Sequence, residues 1–352
     1  MKTILLVASM AMILLYQPTY ATEGKPMHQT RNVIPGLRKV DWSDTQRQNE
    51  FMNCVISAME HLGKKCSYDD LACISGCAFR ACSHKQGLNP GAYHIIEDMP
   101  LIEHTFKMLG YNVTLNTPSD YETDQKLIMD SIDRGVPVLT FQGVVRNAEC
   151  CIISGYDDDG AVLLGWNPFM YLEGDHSEPA DSTGYFRKSK WHDGDLKQAG
   201  ARILIIGEPT ASLSKEKTIK ESLKMAVKLI RAGYAGHTHY AELICQDTDN
   251  WFFLDLMMVC LGCNLYQDKL YVAPFLREAR TVLKDEANTL EECAKIYDQI
   301  SDLRREMNQY LPEDQPQTGE RIRDKEIRRQ YAQRAYKIRD LEKRAADLFE
   351  KM

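Results

Sequence analysis

Two apolar runs around a tight turn are the strongest constraint on how this chain can fold. The first run begins at Cys150 and reads CCIISGY, the turn from Asp157 to Gly160 reads DDDG, and the second run continues to Trp166 as AVLLGW. Apolar runs on both sides of such a turn predict a β-hairpin, and therefore an antiparallel sheet. We do not expect calcium at these aspartates, because the EF-hand ligand spacing is absent.

Helical patterns precede this hairpin. Apolar positions from Met52 to Leu62 recur at helical spacing, and a second helix capped by Ser67 is expected to run through Phe79. Further helices are expected at 98–110 and 121–134, with strands at 111–115, 137–141 and 201–207. Helices followed by an antiparallel sheet predict an α+β domain over residues 46–207.

The pattern changes after Pro209, where helical periodicity continues almost without strand signals. Residues 208–352 are therefore predicted to form an all-helical domain. Its closing helix, from Glu320 to Met352, mixes many charges with apolar residues that are only partly in register. We expect it to pack on a neighbouring helix, and a homodimer through this helix is the alternative.

The N-terminus has the pattern of a signal peptide over residues 1–21. Lys2 precedes an apolar run from Ile4 to Tyr16, and small residues end at Ala21. The run is short for a membrane span, so we expect cleavage and export to the periplasm or the extracellular space, with no membrane span afterwards. An uncleaved anchor is the alternative. Residues 22–45 follow as a polar N-terminal arm.

The net charge and the cysteine count bear on which partners the protein binds and on whether its cysteines form disulfides. The chain of 352 residues is long enough for two domains, and its net charge of −7 gives no reason to expect nucleic acid. Eleven cysteines in an exported protein predict that most of them form disulfides, and an odd number leaves one thiol over. The alternative is that several cysteines are small buried apolar residues.

Cys54 is the candidate for that remaining thiol. It lies where the first predicted helix begins, and a helix N-terminus lowers the pKa of a thiol. Gln48 precedes it by six residues and carries an amide that could donate to an oxyanion. This spacing alone is common by chance.

The wider arrangement resembles the papain-like cysteine peptidases of the bacteriocin double-glycine leader type. In that family Gln-x5-Cys on a first helix is followed by two strands, and the second ends in Asp-Pro, where this chain has Asn167-Pro168. The segments NCVISAMEHLGKKCSYDDLACISGCAFR and ECCIISGYDDDGAVLLGWNPF look closest to uncharacterised bacterial relatives of the butirosin-biosynthesis acyltransferase. The resemblance implies a papain-like domain with Cys54 as nucleophile, Gln48 at the oxyanion and Asn167 orienting a partner.

The chain departs from the family at the position of the catalytic base. Counted back from Gly155, the family histidine corresponds to Glu149 in this sequence. A carboxylate beside a thiol raises the pKa of the thiol, so it is a poor replacement for an imidazole. Four other histidines could in principle serve as the base, although nothing in the sequence ties any of them to Cys54: His94, His104, His176 and His192.

Two further groups of residues are candidates for metal binding and for lining a ligand pocket. His237, His239, Cys245, Cys260 and Cys263 are residue types that bind zinc, but disulfide formation competes with metal binding in an exported protein, so we expect no metal. Trp166, Asn167 and Phe169 at the end of the hairpin could line a pocket, and core packing of the two aromatic residues is the alternative.

Three functions remain open from the sequence. The first is acyl transfer or amide hydrolysis through a Cys54 thioester, acting on a peptide or an acyl-bearing small molecule. The second is a catalytically inactive papain-like scaffold that binds a peptide or small ligand in the cell envelope. The third is a structural, disulfide-rich envelope protein. No cofactor is expected for any of them.

Overall fold

The protein combines helices with one antiparallel sheet, as the sequence predicts. The computed structural model describes residues 30–41, 43–44, 46–80, 99–141, 144–145, 150–168, 185–192, 201–247, 268–310 and 321–352. Within these residues there are eight α-helices and seven strands, and the C-terminal part is helical. The α+β prediction is confirmed. The predicted signal peptide and residues 22–29 of the arm lie outside the described residues.

Five of the helices begin at a side chain that caps their first turn. Asn49, Ser67, Asp120, Ser214 and Asp324 each accept a hydrogen bond from a main-chain N–H of the helix that follows. The helices are α1 (Glu50–His61), α2 (Tyr68–Ser75), α3 (Met99–Leu109), α4 (Tyr121–Asp133), α5 (Lys215–Ile244), α6 (Val272–Ala279), α7 (Ala287–Tyr310) and α8 (Lys325–Phe349). In the described residues, no helix is long and apolar enough to span a bilayer.

The sheet is built around the predicted hairpin. Its strands are β1 (Asn32–Val33), β2 (Tyr111–Asn116), β3 (Val138–Phe141), β4 (Cys150–Asp157), β5 (Val162–Trp166), β6 (Phe186–Ser189) and β7 (Arg202–Pro209). The order is β2-β7-β3-β4-β5-β6, and every pair is antiparallel. β3 pairs with the first half of β4 and β1 with its second half. Strands β1 and β6 are additions that the sequence pattern did not predict.

The second helix ends earlier than predicted. α2 stops at Ser75 because Gly76 takes a left-handed conformation with φ 96°, and a short 3-10 helix, Cys77–Phe79, follows. A Cβ at Gly76 would lie 2.7 Å from Leu229 of α5, so the glycine also permits close packing. Cys73 and Cys77 therefore do not share one helix face, and that prediction is wrong.

The helical half packs directly against the first half of the chain. One hydrophobic core contains buried residues from the sheet, from α1 to α4 and from α5 to α8. Phe79 marks the junction, because its ring meets Tyr297 of α7 and Phe349 of α8 edge to face. α8 packs against α5 and α7, as expected for a charged helix with a neighbour. The homodimer through this helix stays a prediction.

A buried carboxylate connects the helices of the second half. Glu342 on α8 is bonded to Lys269 at 2.5 Å and to His237 of α5 at 2.7 Å, and all three side chains are at most 2% exposed. Lys269 also donates to the carbonyl of Ala78 in the first half at 3.4 Å. Burial by itself raises the pKa of Glu342, but Lys269 and His237 outweigh it, so this pKa is lower than usual.

Gly155 tests the pairing of β1. A Cβ at this position would lie 2.6 Å from the carbonyl oxygen of Asn32 and 2.9 Å from the Cα of Val33. Gly155→Ala should therefore lower the free energy of unfolding by about 1–3 kcal/mol, measured by urea denaturation. Gly207→Ala is the control, because its Cβ would meet nothing closer than 3.4 Å. Equal losses in both variants would contradict this packing.

Glu342→Gln tests the buried carboxylate. Removing one member of a buried ion pair leaves Lys269 without its counter-charge, so the variant should lose about 3 kcal/mol of unfolding free energy in urea at pH 7. The control is Glu278→Gln, which breaks an exposed pair with Lys215 and should cost at most about 1 kcal/mol.

The same variant has an expected pH dependence. A carboxyl with a lowered pKa in the folded state stabilises the fold above its unfolded pKa, and this contribution is lost as pH falls through the folded pKa. The difference between the wild type and Glu342→Gln should therefore shrink as the pH falls from about 5 to below about 4. A difference that grows on acidification would contradict the lowered pKa.

Candidate functional site

Cys54 lies one turn inside helix α1 and not at its start. The helix is capped by Asn49 and begins at Glu50, so Cys54 is its fifth residue. The unpaired N–H groups of a helix belong to its first turn, and the field of the helix falls off over the same distance. The prediction that Cys54 occupies the helix terminus is therefore wrong. The Cys54 side chain is 0% exposed, and α1 packs against β4.

Cys54 and Asn167 meet at one main-chain carbonyl. The thiol of Cys54 donates to the carbonyl oxygen of Cys150 at 3.6 Å. The amide nitrogen of Asn167 donates to the same oxygen at 2.8 Å. Asn167 follows the last residue of β5 and Cys150 is the first residue of β4, so the hairpin brings them together. Two of the four predicted site residues are thus adjacent.

Glu50 completes this group, and the sequence reasoning missed it. Its Oε2 accepts from the main-chain N–H of Cys150 at 3.3 Å and from the Asn167 amide at 3.0 Å. The side chain is only 7% exposed. Glu50 and Cys54 are four residues apart on α1, so they share one helix face. That spacing was the sequence signal that could have identified Glu50.

The surroundings of the neighbouring Cys151 thiol disfavour negative charge. Burial raises the pKa of Cys151 well above its ordinary value, and the nearby Cys54 and Glu50 raise it further. Cys151 is itself 2% exposed. A thiolate at Cys151 would have to form away from solvent and near the carboxylate of Glu50.

Of the other two predicted site residues, Gln48 is described and Glu149 is not. Gln48 lies just before the Asn49 cap, is partly buried, and takes part in neither hydrogen bond to the Cys150 carbonyl. Glu149 lies outside the described residues. The roles assigned to Gln48 at the oxyanion and to Glu149 in the base position stay predictions.

Four of the five described histidines have hydrogen-bond partners away from Cys54, and the buried Nε2 of the fifth, His239, has none. His104 is bonded to the carbonyl of Ile74, and His192 is bonded to Asp124 at 2.9 Å in a buried pair. His61 is bonded to the carbonyl of Gly135 and His237 to Glu342. His94 and His176 lie outside the described residues. No histidine that the structure describes hydrogen-bonds to Cys54.

Six cysteines of the described residues are free thiols. These are Cys54, Cys66, Cys73, Cys151, Cys245 and Cys293. Cys82, Cys260 and Cys263 lie outside the described residues, so the expected disulfide framework stays a prediction. In the same part of the chain, no group of three or more metal-binding side chains is arranged around a common point.

Trp166 lies in the core at the end of the hairpin. It is 8% exposed, and its ring meets Tyr185 edge to face at 5.0 Å. This contact corresponds to the core-packing alternative for Trp166. Phe169 lies outside the described residues.

Comparison of the chain with protein-family models, with curated proteins and with solved structures finds no match. The fold and the contacts around Cys54 are therefore the basis for any functional argument.

Asn167→Ala tests the contacts at the Cys150 carbonyl. The change removes the donor to that carbonyl and to Glu50, two buried acceptors, so it should lower the free energy of unfolding by about 2 kcal/mol or more in urea denaturation. Asn116→Ala is the control, because its amide makes two long hydrogen bonds of 3.3 and 3.4 Å at a partly exposed position. If the control costs as much, Asn167 does not have the central role described.

Proposed function

We propose that residues 46–207 form a papain-like scaffold that binds a peptide or small ligand in the cell envelope without forming a thioester at Cys54. One observation carries the proposal. The Cys54 thiol is fully buried and donates a hydrogen bond to the main-chain carbonyl of Cys150. A nucleophilic cysteine needs the opposite arrangement, with a thiolate that a substrate can reach.

Each requirement of a cysteine nucleophile is opposed at this position. An activated thiolate is favoured by a nearby cation or imidazole, whereas the group around Cys54 contains the carboxylate of Glu50. A substrate carbonyl has to approach the sulfur, whereas the Cys54 side chain is 0% exposed. The papain-like arrangement therefore supports a binding role better than a catalytic one.

The enzyme remains the second candidate because Cys54 and Asn167 converge on the Cys150 carbonyl. In the papain-like resemblance, the corresponding residues are the nucleophile and the residue that orients its base. An active form would carry out acyl transfer or amide hydrolysis through a Cys54 thioester, with Gln48 at the oxyanion and Glu149 in the base position. Both candidate functions assume that the predicted signal peptide, residues 1–21, directs the protein out of the cytoplasm.

Iodoacetamide labelling of the native protein separates the two candidates. The scaffold predicts that Cys54 labels more slowly than the exposed Cys245 at pH 7, because the reagent cannot reach a buried thiol. Labelling at each cysteine is measured by peptide mapping and mass spectrometry, with the urea-unfolded protein as the control in which both thiols react.

The opposite labelling pattern would contradict the scaffold. If Cys54 reacts faster than Cys245 at pH 7, with an apparent pKa well below the value of about 8.5 for a free thiol, the thiol is activated and the enzyme is favoured. Cys54→Ala supplies the reference map in which the Cys54 signal must be absent.

A further inference from the structure

A polar groove lies beside α1, on a face different from the one that carries Cys54. It is bounded by the chain before α1, by α1 itself and by the start of α2, and its volume is about 540 Å³. Asn53, Ile56 and Glu60 supply the α1 side, at the spacing of one helix face. Sites for small molecules commonly enclose roughly 300–1,000 Å³, so the groove has a suitable size.

Side chains of both charges surround this groove in nearly equal number. Three are cationic and four are anionic: Arg38, Lys39, Arg47, Asp41, Asp44, Glu60 and Asp69. A purely anionic ligand such as a nucleic acid would meet the carboxylates, and a polycation would meet the guanidinium and ammonium groups. The lining therefore favours a small ligand that carries one group of each sign.

The charges around the groove are paired with one another across exposed positions. Arg38 lies 3.5 Å from Glu60, and Lys39 lies 3.1 Å from Asp41. Exposed pairs contribute only about 0–1 kcal/mol each, so a ligand can exchange one partner of such a pair for its own charge at little cost. A ligand that carries both charges can therefore replace partners in these pairs and enter the groove.

The helical half fixes the far wall of the groove. Tyr68 lines the groove, and its hydroxyl donates to Asp268 at 2.8 Å in a buried contact. Arg47 is held by two hydrogen bonds to Asp69, at 2.8 and 3.1 Å, and its guanidinium lies over the ring of Tyr271. A wall that is ordered before binding loses less conformational entropy when the ligand arrives.

We propose that this groove is the ligand site of the scaffold and that its ligand is a short peptide with free ends, bound through its charged amino and carboxyl groups. The inference rests on the proposed binding function and names the ligand class and its location. Carboxylates of the groove would receive the peptide ammonium, and Arg47 would keep its bidentate contact with Asp69 and exchange its exposed partner Asp44 for the peptide carboxylate.

Cys66 provides a reporter inside the groove. Its side chain is partly exposed and lines the groove, and burial raises the pKa of its thiol to about 11. Alkylation of Cys66 is therefore slow at pH 7, and it is followed at that pH with long incubation, because the ammonium group of a free peptide is largely neutral at pH 9. Cys245 is exposed and lies at the end of α5, so it reports on reagent effects outside the groove.

The test measures whether peptides protect Cys66 in the full chain. The probe is a pool of tripeptides of Ala, Leu, Ser and Tyr with free termini, and the control is the same pool acetylated and amidated. At ten times the half-protecting concentration the free pool should slow Cys66 alkylation about tenfold and leave Cys245 unchanged. The blocked pool should have no effect.

Two matched variants locate the binding. Arg47 is 38% exposed and Arg231 is 37% exposed, and each side chain pairs with two carboxylates. Arg231 lies on α5, and its two partners are Asp347 and Glu350. Arg47→Ala should abolish the protection of Cys66, measured as the ratio of rates with and without peptide. Arg231→Ala should keep the protection, and equal behaviour of the two variants would overturn the proposal.

The remaining outcomes separate this inference from the function on which it rests. If saturation-transfer NMR detects binding of the free pool but Cys66 is not protected, the peptides bind elsewhere on the protein. The proposed location in the groove is then wrong, whereas the proposed binding function is retained. If both pools protect equally, the charged ends are not recognised and the ligand class is wrong. If neither pool binds, the inference fails, while slow Cys54 labelling in the same maps still excludes an activated thiol.

Discussion

The main-chain carbonyl of Cys150 is the point on which the candidate site depends. It accepts from the Cys54 thiol of α1 and from the Asn167 amide at the end of β5, and the N–H of the same residue donates to Glu50. The main chain of this one residue thus joins the helix to both strands of the hairpin. The contacts that hold Cys54 in place also bury its side chain and occupy its S–H donor.

The two halves of the chain depend on each other for similar reasons. Lys269 connects the buried carboxylate of Glu342 to the carbonyl of Ala78, and Asp268 next to it receives the hydroxyl of Tyr68. A single short 3-10 helix, Asp268–Tyr271, therefore contacts the first half at two buried polar points. The helical half takes part in shaping the groove beside α1 and is more than an appended domain.

Most of the fold could be predicted from local sequence patterns. The elements that were not predicted depend on contacts between distant parts of the chain. The hairpin, the cap at Ser67 and the helical second half follow from periodicity and turn chemistry, and the structure contains them. β1 is two residues long and exists because Gly155 lets another strand approach, which no local pattern shows. For the site, the expected helix start pointed to Cys54 and the family resemblance to Asn167, whereas the contacts of Glu50 form only when the hairpin packs against α1.

The protonation state of Cys54 in the folded protein tests the central claim most directly. The S–H stretching band of Cys54 can be isolated as the infrared difference between the wild type and Cys54→Ala at pH 7. The hydrogen bond to the Cys150 carbonyl predicts that this band is present and shifted from that of a solvated thiol. Absence of the band would show a thiolate at Cys54 and would contradict the account of a buried, unreactive thiol.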